Sequence, residues 1–90
     1  MTFGVWCLVA STLCMTLNED QTLYVAGYSG YWGTPNHYPN GEGGTFAILW
    51  DDRQDGVVYE MWTWAKWKVG HIVMIGAIGT RTVWRRGTYE

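Results

Sequence analysis

Val57-Val58-Tyr59-Glu60-Met61-Trp62-Thr63-Trp64-Ala65-Lys66-Trp67-Lys68 is the stretch on which the fold turns. Read with period two, Val57, Tyr59, Met61, Thr63, Ala65 and Trp67 share one face. Val58, Glu60, Trp62, Trp64, Lys66 and Lys68 share the other. A helical reading competes, because Val58, Met61, Trp62, Ala65 and Val69 fall on one stripe. Aromatic and β-branched residues favour the pleated surface of a sheet, so residues 57–68 are expected to be a strand.

Outward from this stretch, the flanks read the same way. Gly70 breaks the run. Residues 71–78 form an apolar strand, in which Gly76 signals a bulge or a close backbone approach. Residues 80–85, centred on Thr82-Val83-Trp84, form the last strand. On the other side, Asp55-Gly56 supplies the positive φ of a tight turn over residues 51–56. Residues 46–50 form the strand before it. Residues 12–17 alternate cleanly, and with residues 22–28 they make a hairpin across the polar Asn18-Glu19-Asp20 turn. Residues 2–10 are apolar on both parities, as in a strand buried on both faces or a short buried helix. Residues 29–45 hold so many Gly, Pro and Asn that no regular element is expected there. Their aromatics, with Tyr28 beside them, point to an ordered loop. The expected architecture is mostly β: one small antiparallel barrel or sandwich of six to seven short strands with little or no helix. Residues 1–90 make a single domain.

A chain of 90 residues builds a small core. Seven Trp, six Tyr and two Phe supply the compensating mass. With only 16 % charged residues, part of the apolar excess is expected to be covered by a partner or a second copy, with a dimer favoured. Charge is unevenly placed. Residues 1–60 carry seven carboxylates and one base, a net of −6, and residues 61–90 carry five bases and one acid, a net of +4. The two halves either fold against one another or leave a basic face for an anionic ligand.

Cys7 and Cys14 can pair only if the chain turns back between them, since in one strand they point to opposite faces. They are expected to be buried free thiols in a reducing cytoplasm. The apolar run 3–17 has no positive flank, and the first base is Arg53. It is therefore read as part of the domain of a non-exported, cytoplasmic protein without a membrane span (the host cytoplasm, if the chain is phage-encoded).

Several chemistries are excluded by spacing. The acidic turn at 51–56 has Arg53 at the third position of a calcium loop and Trp62 at its twelfth, so it binds no calcium in that mode. Cys7, Cys14, His37 and His71 contain no close pair, so no zinc set is expected. No Ser or Cys lies in a nucleophile signature. Glu42 with Glu60, or Asp52 with His37, are acid–base pairs of a kind that any chain this size contains. Gly41-Glu42-Gly43-Gly44 lacks the lysine of a phosphate loop, and its carboxylate would repel phosphate. The chain is read as non-catalytic, with no cofactor and no metal.

What remains is aromatic. Trp62 and Trp64 share a face with Lys66 and Lys68, and Trp84 and Arg86 can extend it from the final strand. Rings beside ammonium groups can stack a base or sugar while pairing a phosphate. The alternative is that Trp62 and Trp64 are core and the lysines snorkel from its edge. Tyr31, Trp32, His37 and Tyr38 offer a second surface in the loop, where rigid rings and small polar neighbours suit recognition. The leading expectation is a binding protein that captures a partner protein or a small anionic ligand such as a nucleotide. The chain has the size of many phage or mobile-element inhibitors. A carbohydrate-binding β-domain comes second, because Trp and Tyr faces stack on sugars. A small barrel binding single-stranded nucleic acid ranks behind both, since only five bases lie in the favourable half.

Overall fold

A computed structural model describes residues 2–50 and 58–87. Eight strands run in chain order: β1 (Gly4–Leu8), β2 (Cys14–Leu17), β3 (Thr22–Val25), β4 (Tyr28–Gly33), β5 (Gly43–Trp50), β6 (Val58–Lys68), β7 (His71–Gly76) and β8 (Arg81–Gly87). Each pairs antiparallel with the next, and β8 returns to β1, so the sheet closes into a barrel. Closure removes the exposed edges that a small open sheet would have to protect. No helix occurs among the described residues. Of the two expected architectures the barrel is the one observed, with eight strands in place of six or seven.

The additional strand, β4, arises where turn chemistry was hard to read. Residues 22–28 divide at Ala26-Gly27, both with positive φ, and Val25 faces Tyr28 across this two-residue turn. Only the glycine of that pair is a conventional hairpin signal. Residues 29–45 are not wholly irregular. β4 runs on to Gly33 and β5 begins at Gly43, because paired backbones, not local propensity, hold Tyr31, Trp32 and Gly33 against Leu49, Ile48 and Ala47. The connection shrinks to residues 34–42. Residues 2–10 yield the short strand β1 rather than a helix. The last two strands are β7, ending at Gly76, and β8, reaching Gly87. The turn expected at 51–56 lies outside the described residues.

Residues 58–68 are a strand throughout. The even-numbered face points into the barrel, as register shows: Phe46 pairs with Trp62, Gly44 with Trp64, and Trp64 with Met74. The core joins Trp6, Met15, Leu17, Leu23, Phe46, Ile48, Trp50, Trp64, Ile72, Met74 and Trp84. Eight strands leave an interior that side chains can just fill, and here large indoles do so. Trp64 is 1 % exposed, at the centre. Trp6 donates its Nε1–H to Thr2 O at 2.9 Å. Trp84 donates to Thr82 Oγ1 at 2.9 Å. The indole nitrogens of Trp50 and Trp64 are buried without a partner among the described residues.

The cysteines are not free thiols. Cys7 and Cys14 face one another across the β1–β2 hairpin and form a disulfide. The chain does turn back between them, through residues 9–13, and that return is what the expectation of free thiols left out. Their neighbours Trp6 and Met15 point into the core, so both cysteines lie on the outer face.

Candidate functional site

The meander sorts the connections onto two ends. The β1–β2, β3–β4 and β7–β8 turns lie at one end, here called the upper end. The β2–β3, β4–β5 and β6–β7 connections lie at the lower end, with the start of β1 and the end of β8.

The lower end is closed by the loop 34–42. His37 bridges to Gly44, Tyr38 N donates to Gly43 O at 2.7 Å, and Thr45 N donates to Asn36 O at 2.9 Å. Gly44 lies on the inward face, and a methyl group there would run into the Asn36 carbonyl. The Asn36–His37 backbone therefore packs over the mouth of the barrel, and the absence of a side chain at Gly44 makes that approach feasible. The His37 ring meets Trp64 edge-on at 6.4 Å. Beside this plug lies a cavity of about 640 Å³, whose lining includes Trp6, Glu42, Lys66, Trp67, Lys68 and His71.

The upper end is different. A cavity of about 200 Å³ opens from the barrel core, lined by Leu13, Met15, Leu23, Val25, Ile48, Trp50, Glu60, Trp62, Met74, Thr82 and Trp84. Three indoles and a set of aliphatic side chains make its walls apolar. Its polar side chains are Glu60 and Thr82. The Thr82 hydroxyl accepts from Trp84 Nε1 at 2.9 Å and donates to Met74 O at 3.4 Å, so its one proton is spent. Glu60 is half-buried, and among the described residues its carboxylate has neither a hydrogen-bond nor an ion-pair partner.

The face expected to carry Trp62, Trp64, Lys66 and Lys68 is thus the lumenal face, and its members divide by depth. Trp62 lines the upper cavity, Trp64 is central core, and Lys66 lines the lower cavity. Lys68 also lines the lower cavity, but from across a register irregularity. The register slips between Lys66 and Lys68, so Lys68 pairs with His71 on the outer side, and its Nζ sits 4.5 Å from the Trp67 ring centroid. Trp84 joins Trp62 at the upper cavity. Arg86 is at the opposite end of β8. There its guanidinium lies 5.5 Å from the Trp6 ring centroid, donates to Phe3 O at 2.8 Å, and is also hydrogen-bonded to Thr2 Oγ1.

The loop aromatics do not form one surface. Tyr31 is exposed on the outside of β4. Trp32 turns inward, tilted against Phe46 at 6.2 Å, and donates its Nε1–H to Asn18 O at 3.0 Å. His37 shares a 3.2 Å hydrogen bond with Thr34 Oγ1. The Tyr38 ring packs over Gly43, where a methyl group would stand 2.5 Å from it. His37 helps to close the lower end, whereas the Tyr38 ring lies on the outer side of Gly43 and is exposed.

Three residues at the upper cavity carry weight that sequence reading did not assign: Trp50, Thr82 and Glu60. The signal for Glu60 was present, since it shares the parity of Trp62 and Trp64. Glu42 and Glu60 line cavities at opposite ends and form no acid–base pair. No group of three His, Cys, Asp or Glu side chains suited to a metal ion occurs among the described residues. No family model, curated protein or solved structure matches the chain.

Proposed function

We propose that the protein is a non-catalytic binding protein that takes a small, mostly apolar molecule into the upper end of its barrel. The observation that carries this reading is the 200 Å³ tryptophan-lined cavity, continuous with the core and lined, among the described residues, by one charged side chain, Glu60. Ligand sites are typically concave, apolar and furnished with a few polar groups that fix orientation. An apolar cavity of roughly 150 Å³ accepts a benzene ring, so this one suits a single ring or a short aliphatic body. Calorimetric titration with phenol, 2-phenylethanol and cyclohexanol tests it. Saturable binding that is lost in Trp62→Ala and Met74→Trp, both folded, is expected. Binding unaffected by both variants contradicts it.

The smaller reading, a small anionic ligand, belongs to the lower end. It is favoured by Lys66 and Lys68 beside Trp67 around a larger cavity. Glu42 in the same lining opposes it, which is why it stands second. Self-association is proposed on the outer face of β5–β7. There Leu49, Tyr59, Met61 and Ile75 are exposed, and residues 45–49, 59–65 and 73–75 place no charged side chain on that side. Light scattering that shows a monomer at millimolar concentration overturns that proposal. The disulfide favours an oxidising compartment over the reducing cytoplasm.

A further inference from the structure

We infer that the upper cavity selects an organic cation: a primary or quaternary ammonium group carried on a small apolar body. The inference rests on the cavity being a ligand site. It adds the charge of the occupant.

Glu60 supplies the first argument. Among the described residues it is the one charged side chain in the lining, and no Lys, Arg or His stands with it. Its position on β6 is opposite Ile48 and two residues from Trp62 on the same lumenal face. A half-buried carboxylate beside apolar walls gains from a cation that brings hydrogen-bond donors. An anion placed there would lose its own hydration and face repulsion from Glu60 with no compensating base among the described residues.

The walls supply the second argument. Trp50, Trp62 and Trp84 line the same space. Indole is the strongest of the side-chain π systems toward a cation, and the attraction grows when water is excluded. Rings to hold an ammonium group and one carboxylate to neutralise it form a complete recognition set for this chemistry. Thr82 offers the occupant no hydrogen-bond donor, because its hydroxyl proton goes to Met74 O; what it has left is an acceptor lone pair, which also suits a cation.

Three probes of similar size separate charge from shape: 2-phenylethylammonium, neutral 2-phenylethanol and anionic 3-phenylpropionate. Each is titrated calorimetrically into the protein at low salt and into Glu60→Gln, with a thermal melt to verify that the variant is folded. The ammonium is expected to bind at least roughly tenfold tighter than the carboxylate. In Glu60→Gln that ratio is expected to fall to about twofold or less, with the neutral probe unchanged. The comparison of the three probes on the unaltered protein stands even if the variant fails to fold. Equal or tighter binding of the carboxylate, or a ratio that survives Glu60→Gln, overturns the inference and leaves the cavity as a site for neutral ligands. Failure of all three probes to bind removes the cavity reading itself, and the cation inference with it.

Discussion

The indole ring of Trp62 lies against Gly76 across the β6–β7 ladder, so close that a methyl group on Gly76 would stand 3.2 Å from the ring. The ring must therefore yield by a few tenths of an ångström if Gly76 gains a side chain. Trp62 is half-buried at the cavity and has somewhere to go. Gly76→Ala is expected to cost about 1 kcal/mol of stability and to weaken binding of 2-phenylethanol several-fold. Chemical denaturation and titration check both, and an unchanged stability and affinity would show that Trp62 is not held by this contact.

The disulfide makes a second prediction. It closes a loop of seven residues' separation on the outside of the barrel. Chain-entropy reasoning assigns such a loop about 2.5 kcal/mol. The Cys7→Ser, Cys14→Ser double variant is expected to lose about that much in a urea titration while keeping the β spectrum. Free-thiol assay of the unreduced, unfolded protein should find no thiol. Two reactive thiols in protein kept from reductant would disprove the bond.

Asp20 gives the pH dependence. Its carboxylate accepts a hydrogen bond from the Thr22 hydroxyl at 2.6 Å and from the Thr22 backbone N–H at 3.0 Å. The Thr22 hydroxyl first, and its backbone N–H second, hold the Asp20 carboxyl below its ordinary value. A group whose folded pKa is depressed contributes stability that is present above its unfolded pKa and lost as pH falls through the folded one. Asp20 is fully exposed, so the effect is small. Titration followed by carboxyl NMR should place Asp20 below the ordinary aspartate range, and Thr22→Val should raise it. An Asp20 value unmoved by Thr22→Val contradicts this.

The tryptophans differ in what their nitrogens do. Trp6 spends its N–H on Thr2 O, whereas the Trp64 N–H is buried and unpaired. Replacing each with Phe loses ring volume in both cases. At position 6 it also forfeits a hydrogen bond worth about 1 kcal/mol, and at position 64 it removes an unsatisfied donor. Trp64→Phe should therefore cost less than Trp6→Phe, by about 1–2 kcal/mol in denaturant titrations. The reverse order would mean that ring packing outweighs the fate of the N–H.

The same contrasts show which parts of the molecule were legible in the sequence. Period-two alternation announced the strand at 58–68 and put Trp62, Trp64 and Lys66 on one face, because side-chain direction follows parity in any strand. It could not show that this face is the inside of a closed barrel, since closure depends on β8 meeting β1. Nor could it show that the bulge before His71 turns Lys68 outward. The turn at Ala26-Gly27 was missed because alanine rarely takes positive φ. The disulfide was missed because seven residues of separation say nothing until the hairpin between them is known. Of the upper cavity, Trp62 and Trp84 were singled out from sequence, while Trp50 and Glu60 needed the register of β5 against β6.

The most direct measurement is a map of ¹⁵N-labelled tryptophan side chains during titration with 2-phenylethanol. The indole N–H signals of Trp50, Trp62 and Trp84 are expected to shift together along one saturable curve, while those of Trp6, Trp32 and Trp67 stay in place. Shifts confined to Trp6 and Trp67 would move the binding site to the lower end, and the absence of any saturable shift would contradict a ligand site in the barrel.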